Sequence, residues 1–467
     1  MKTTWLTVML AAILCAVPVC AAQIAPELPT PDARYKTDVL LIVAHPDDDV
    51  LLGAWLARIV LDGHKNVSVI YATNGDGGGN NRGPESGLAL GAVREMEARR
   101  ALAVYGIDRI WFLGGHDTPG QNPLRSLDSW NHGRILNNLI RLVRITRPEV
   151  IVTWLPDSVA GENHGDHQAA GVLGVEAFDA AGDPSVFPEQ LSAPYSFTGY
   201  ANLAEGLEPW QAKKLYFFTD AFEVDTSYWH NPAEKPTYRK HLDEGTGPVF
   251  DATSISASQK VSYAELVVRQ QAAYATQDGA LGEAALARRD WSLFAYPVPL
   301  IFGKSLVGGA VTGDVFEGVT AGTIPFHGTR TESFQRDAFG IGNPWRFYAA
   351  FWRQHDLQRL ADLMPTAELA ANPGDKLTVP LVACNTTVGP IEVAMQATLP
   401  EGWTNNTSFR RYPVQPGACY TIQEQVVAPA AGKPGWQLLT WKATVDEHPL
   451  GEARMRVYVG MFGGLPQ

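Results

Sequence analysis

His45, Asp47, Asp48 and Asp49 stand directly after the apolar run LLIVA at 40–44. A buried strand accounts for that run. It does not account for an imidazole and three consecutive carboxylates at its end, which repel one another and resist desolvation unless a cation neutralises them. A second apolar run, EVIVTW at 149–154, is followed by LPDSVAGENHGDH, which brings His164, Asp166 and His167. Two strand-like runs that each end in a His/Asp cluster point to one shared divalent metal site. The carboxyl ends of strands are also where open α/β sheets place their ligands.

Pro46 stiffens the turn between His45 and Asp48, so both side chains can aim at one point. His167 would complete a His-Asp-His set. Three protein ligands with one position left open is the usual catalytic zinc arrangement, which brings bound water to a pKa of about 7 and polarises a carbonyl. Two imidazoles favour zinc over magnesium, and one ion per chain is expected. Asp47, adjacent to a ligand, is placed to take a proton from the attacking water, a contribution worth roughly 10²–10⁴ in rate. His164 would stabilise an oxyanion as an imidazolium. Asp166 reads as a group that orients a ligand. One of the three aspartates is also expected to cap the helix that begins near Val50.

These residues need a scaffold that brings distant segments together. Strand-like runs occur at 38–44, 67–72, 109–114, 149–154 and 214–219, and helix-period segments at 50–62, 92–105, 133–146, 169–178 and 258–274. This alternation predicts an α/β fold: a Rossmann-like, mainly parallel sheet with helices on both faces. Residues 281–365 are broken by Pro and Gly and read as an accessory or connector region. From 366 to 467, short alternating runs separated by Pro, Gly and Asn predict an all-β sandwich.

The chain has 467 residues and a net charge of −12. Two domains are the natural expectation at this length, and the acidic balance argues against nucleic acid as a partner. Residues 1–22, with Lys2, an apolar stretch, and Ala21 and Ala22 before Gln23, read as a signal peptide. A secreted or periplasmic protein without a membrane span is expected once that segment is removed. Cys384 and Cys419 would then be the remaining cysteines, and in an exported chain they suggest one disulfide. The loop GDGGGNNRG at 75–83 lacks the Gly-Lys-Ser/Thr ending of a phosphate loop and reads as a mobile rim over the metal site. Trp130 and Trp154 could stack on a sugar ring or serve as core.

AHPDDD at 44–49 with HGDH at 164–167 resembles the PIG-L/LmbE-type zinc-dependent deacetylases, over roughly residues 36–280. The resemblance implies zinc on His45, Asp48 and His167, Asp47 as base, and His164 at the transition state. It also implies removal of N-acyl groups, most often from N-acetylglucosamine-containing substrates. TNGDGG at 73–78 is similar to a family loop, and Arg94 and Glu97 to its R-x-x-E helix. Asp117 stands where that family has a substrate-binding Asp, so Arg94 and Asp117 are expected to hold sugar hydroxyls. The chain departs from the pattern at Asp49, where Glu is usual, and at Tyr274, where a His often precedes Ser/Thr-Gln. LPEGW at 399–403 resembles an element of immunoglobulin-like domains attached to glycan-active enzymes.

The expected activity is hydrolysis of an N-acyl group on an amino sugar or related amide. A metal-dependent phosphoesterase is one alternative, because carboxylates also recruit magnesium. A non-catalytic glycan-binding protein with a relic site is the other.

Overall fold

The fold is described from a computed structural model covering residues 30–120, 122–157, 165–191, 206–219, 246–326, 328, 338–363, 367–407, 410–432 and 434–460. Residues 1–22, read as a signal peptide, lie outside this set.

The central sheet contains β1 (Val39–Val43), β2 (Val67–Thr73), β3 (Arg109–Gly115), β4 (Val150–Trp154) and β5 (Lys214–Phe218). They run parallel in the order β3-β2-β1-β4-β5, and Ile301–Ser305 adds an antiparallel edge beside β5. Every residue of β1, β2, β4 and β5 is buried, as expected of strands covered on both faces. One face carries Val39, Leu41 and Val43 against α1 (Gly53–Ala57), α2 (Leu88–Ala103) and the helix Tyr263–Gln271. The other carries Leu40 and Ile42 against α4 (His132–Thr146) and α5 (Gly165–Ala180). The sheet order reverses between β1 and β4, which opens a crevice at their carboxyl ends.

Several helices differ from the sequence-based bounds. The segment 50–62 is a 3-10 turn at Asp48–Leu52, then α1, then a wide π turn at Arg58–Asp62. The segment 169–178 begins earlier, at Gly165, so Asp166 and His167 ride on the first turn of α5. The segment 258–274 shortens to Tyr263–Gln271, capped by Ser262, whose hydroxyl accepts the Glu265 amide. A helix α3 (Pro123–Ser129), not among the helix-period segments, lies between β3 and α4; Asn122 caps it and Pro123 opens it.

Residues 281–365 reach both neighbours. Besides the edge strand, the helix Asn343–Gln354 buries Tyr348, Phe351 and Trp352 in the α4/α5 core, and Phe339–Ile341 pairs with Lys376–Cys384. The C-terminal part is a β-sandwich. A five-stranded sheet centred on Gly435–Val445 and a four-stranded sheet containing Lys376–Cys384 and Cys419–Val427 share one apolar core. Cys384 and Cys419 are paired positions on adjacent strands and are disulfide-bonded. Among the described residues, no helix is long and apolar enough to cross a membrane.

Candidate active site

The crevice between β1 and β4 gathers the charged residues that packing could not explain. His45 and Asp48 leave the end of β1, and His167 comes from the start of α5, which follows β4. His45 Nδ1 lies 3.2 Å from His167 Nε2, His167 Nε2 lies 3.2 Å from Asp48 Oδ1, and His45 Nδ1 lies 3.6 Å from Asp48 Oδ1. Ligand atoms bonded at 2.0–2.2 Å to one tetrahedral centre stand roughly 3.3–3.6 Å apart. The triangle therefore fits a single small divalent ion, and the donor set, two imidazoles and a carboxylate, suits one.

Each ligand is held from behind. Asp48 Oδ2 accepts from the amides of Ala44 and His45, at 2.8 and 3.0 Å, and from Trp154 Nε1 at 2.7 Å, which leaves Oδ1 turned to the histidines. Asp48 was a candidate helix cap, but its carboxylate reaches back to β1, and Asp47 makes no capping bond either. His45 Nε2 faces Asp166 Oδ2 at 3.2 Å, which fixes the ring so that Nδ1 is turned to His167 and Asp48. Asp166 is in turn held by the Thr118 amide and hydroxyl. The Trp154 ring lies flat against His167, with centroids 4.0 Å apart and planes 8° apart. That face is thus taken by the histidine, and Trp130 is fully buried with Nε1 donated to His116 O. Both tryptophans are wall and core.

The electrostatics are those of a site built around a cation. Burial alone would lower His45, but hydrogen bonds to Asp166 and Asp48 and the charges of Asp48 and Asp117 raise it well above the usual histidine range. Burial would raise Asp48, but His167 and His45 hold it well below the usual carboxylate range. The two shifts share one cause, the mutual attraction of the His45 and His167 imidazoles and the Asp48 carboxylate in a buried site. Asp47 has the opposite balance: burial first, then the Asp48 charge, push it well above the ordinary range. Its backbone sits at φ 109°, a conformation that costs a non-glycine residue of order 1–3 kcal/mol and clusters at functional sites.

The neighbouring carboxylate, Asp49, turns away from the triangle. It is fully buried and accepts from Tyr71 OH at 2.7 Å, Tyr274 OH at 2.6 Å and Gln270 Nε2.

Arg94 and Asp117 both line the cavity over the triangle. Arg94 donates to the carbonyls of Gly75 and Gly79, both at 2.8 Å, and so braces the glycine loop. Asp117 accepts from Thr73 Oγ1 and the Gly77 amide, and lies 3.8 Å from His45 Nε2. The glycines are required by contact: a Cβ on Gly77 would meet Asp117 at 2.6 Å, and one on Gly78 would meet Arg94 at 2.5 Å. The loop also joins the far side of the cavity, where the Asn81 amide donates to Thr276 O at 2.9 Å. The expected mobile rim is therefore a pinned one. Glu97 accepts from the Thr276 amide and hydroxyl, and Gln277 Nε2 donates to Pro46 O, tying this rim to the β1 turn. His164 lies outside the described residues.

Sequence reasoning missed Thr118, the Tyr71–Gln270–Tyr274 set and the Trp154 bond to Asp48. A signal existed for Tyr274 alone, in its departure from the family pattern.

Residues 40–178 match the family model PIG-L: GlcNAc-PI de-N-acetylase. This segment is a PIG-L family domain. The chain is similar to 1D-myo-inositol 2-acetamido-2-deoxy-alpha-D-glucopyranoside deacetylase 1 of Frankia alni, 31% identical over 189 residues, which cover 37% of this chain and 59% of that one. It is similar to the corresponding deacetylase of Geodermatophilus obscurus, 32% identical over 177 residues, covering 34% of this chain and 58% of that one. The chain thus spans somewhat over half the length of the curated relatives it matches. Among solved structures, the N,N'-diacetylchitobiose deacetylase from Pyrococcus horikoshii aligns over 59% of this chain and 86% of its own, at 17% identity and TM-score 0.37. The PIG-L match includes every member of the ligand triangle, Asp47, Arg94 and Asp117. Gln270, Tyr274, Thr276 and Gln277, which close the site, lie beyond it.

Proposed function

We propose that this protein is an exported, zinc-dependent hydrolase that removes an N-acyl group from an amino sugar or related amide. The observation that carries the reading is the ligand triangle of His45, Asp48 and His167, with Asp47 beside it on strained backbone. The deacetylase names of the relatives support an N-acetylated amino sugar as substrate. His45, Asp48 and His167 would hold the zinc, which when bound supplies Lewis-acid polarisation of the carbonyl and acidifies water.

The chain's own residues account for the rest. Asp47, with its affinity for protons raised by burial and by Asp48, is tuned in the direction a general base near neutral pH needs. It takes a proton from the attacking water; the carbonyl carbon gains an oxygen, the C–N bond breaks, and the proton goes to the leaving amine. Asp117 and the loop braced by Arg94 form the polar wall that meets sugar hydroxyls. His164 is assigned, from the sequence, to the developing oxyanion. Export is supported by the composition of residues 1–22 and by the Cys384–Cys419 disulfide, a bond typical of oxidising compartments.

Asp47→Asn keeps size and removes the base. Acetate release from N-acetylglucosamine and its oligosaccharides should fall by roughly 10²–10⁴, while metal analysis still finds one zinc per chain. Near-normal turnover in that variant would remove Asp47 from the role, and acetate release from none of these substrates by the wild type would overturn the deacetylase reading.

A further inference from the structure

The cavity over the ligand triangle, about 1400 Å³, is lined by both polar and apolar side chains. Arg94, Asp117, Asn81 and Gln277 are among its polar residues, and the polar lining meets the triangle at His45, whose Nε2 lies 3.8 Å from Asp117. The apolar lining meets the triangle at His167, through the stacked Trp154 and then Phe218, whose ring centroid is 4.4 Å from that of Trp154. It includes Leu52, Phe294 and Val298, all buried in the α1/α2 core. Val249, Leu281 and Leu293 also line the cavity and are 55%, 49% and 59% exposed, so they stand toward its outer rim.

Three large apolar side chains from three separate segments line this one cavity and stay in water. Single exposed apolar residues are ordinary, but a contiguous patch rimming a cavity marks a surface that something apolar covers. The scissile amide of the proposed reaction also has two unlike halves, a hydroxylated amine and an acyl group. A cavity that is polar on one flank of the metal ligands and apolar on the other matches those halves in order. An acetyl methyl group alone would leave most of the apolar lining uncovered.

We infer that the preferred substrate is an amino sugar bearing an N-acyl chain longer than acetyl, with the sugar on the Arg94–Asp117 flank and the chain running past Phe218 to the Leu281–Leu293 lip. This inference rests on the deacylase reading above and specifies its substrate class. Water adds oxygen to the carbonyl carbon and the C–N bond breaks. The products are a medium-chain carboxylate and the free amino sugar, whose nitrogen takes up the proton.

The test is a series of N-acyl glucosamines, from acetyl through butyryl and hexanoyl to octanoyl, with free glucosamine as the readout. Each methylene newly buried is worth about 0.8 kcal/mol, so kcat/KM should rise about fourfold per methylene until the chain passes the lip. The same slope should appear, without turnover, in the dissociation constants of these amides for the Asp47→Asn protein. Leu281→Ser with Leu293→Ser should flatten the upper part of the series, so that the octanoyl-to-acetyl ratio of kcat/KM falls relative to the wild type. A second arm keeps N-acetyl and lengthens an alkyl group on the anomeric oxygen, and it should show little slope. If N-acetylglucosamine is cleaved but the acyl slope is flat, or the slope appears only in the anomeric arm, this inference fails and the deacylase reading stands. If no N-acyl glucosamine is cleaved, both fail.

Discussion

At the end of β1 the chain buries His45, Asp48 and Asp49, whereas the sandwich strand Lys376–Cys384 ends on six buried positions that carry no charge. The contrast holds across the two regions. Among the described residues of the sandwich, Asn385 and Glu424 are the buried polar side chains, and the core is otherwise apolar. Around the β1/β4 crevice, burial extends to Asp166, His167, Arg94, Glu97 and Gln270. Burying charge is costly unless it is paired and hydrogen-bonded, so the crevice needs many partners, whereas in the sandwich Glu424 accepts from Asn405. The sandwich is stabilised by area and a covalent link; the crevice is held by paired and hydrogen-bonded charges in a donor set that suits a cation.

The sharpest way to break this comparison is to remove a ligand. His167→Ala should abolish metal retention and reduce amide hydrolysis by roughly 10⁴ or more, since the base and the polarising ion act as one unit. The metal-free protein should remain folded, because the neighbouring core clusters do not depend on the ligand set. Metal content by atomic emission and folding by circular dichroism would check both halves. A variant that retains full metal and activity would show that the triangle is structural.

The reciprocal experiment addresses the other region. The Cys384–Cys419 bond closes a loop with a sequence separation of 35, and in the chain-entropy account its removal costs about 3–4 kcal/mol. Cys384→Ser with Cys419→Ser should lower the unfolding midpoint of the sandwich and leave kcat/KM on a short N-acetyl substrate within about twofold. Denaturant unfolding followed by near-UV signal, alongside kinetics, would separate the two effects. A large loss of turnover at temperatures where the sandwich is still folded would mean that the two regions are coupled through the helix Asn343–Gln354.

The difference between the regions also explains what could be read from residues alone. The grouping of His45, Asp48 and His167 was legible because charge after an apolar run is anomalous on its own strand, and two such anomalies at strand ends point to one shared site. The parallel sheet was legible from the alternation of fully apolar runs with helical periods. The partners that hold the triangle were not. Trp154 stood open between core and a sugar-stacking role, and nothing singled out Thr118 or Gln270, because each acquires its role only when β1, β4 and the helix Tyr263–Gln271 converge. The early start of α5 was hidden for a related reason: Gly165 and Asp166 have weak helix propensity, and it is the packing of α5 against β4 that extends the helix to His167.

The smallest expected effect tests the buried charge that is not a ligand. Asp49 is fully enclosed, and its carboxylate is shared by Tyr71, Tyr274 and Gln270. Tyr274→Phe removes one donor and no volume of consequence. A hydrogen bond to a charged group is worth roughly 1.5–3 kcal/mol, and the two remaining donors should hold the loss to about 1–2 kcal/mol of stability, with kcat/KM falling less than tenfold. The departure of Asp49 and Tyr274 from the family pattern makes the test stricter. A shorter carboxylate facing a longer phenol is a length-compensated pair, so Asp49→Glu should crowd Tyr274 and Tyr274→His should fall short of Asp49. The double change restores the combined reach. Its stability should exceed the sum of the single effects by 1 kcal/mol or more, as contacting residues show in double-mutant cycles. Strict additivity of the two changes in denaturant midpoint would mean that Tyr274 does not compensate for the shorter carboxylate.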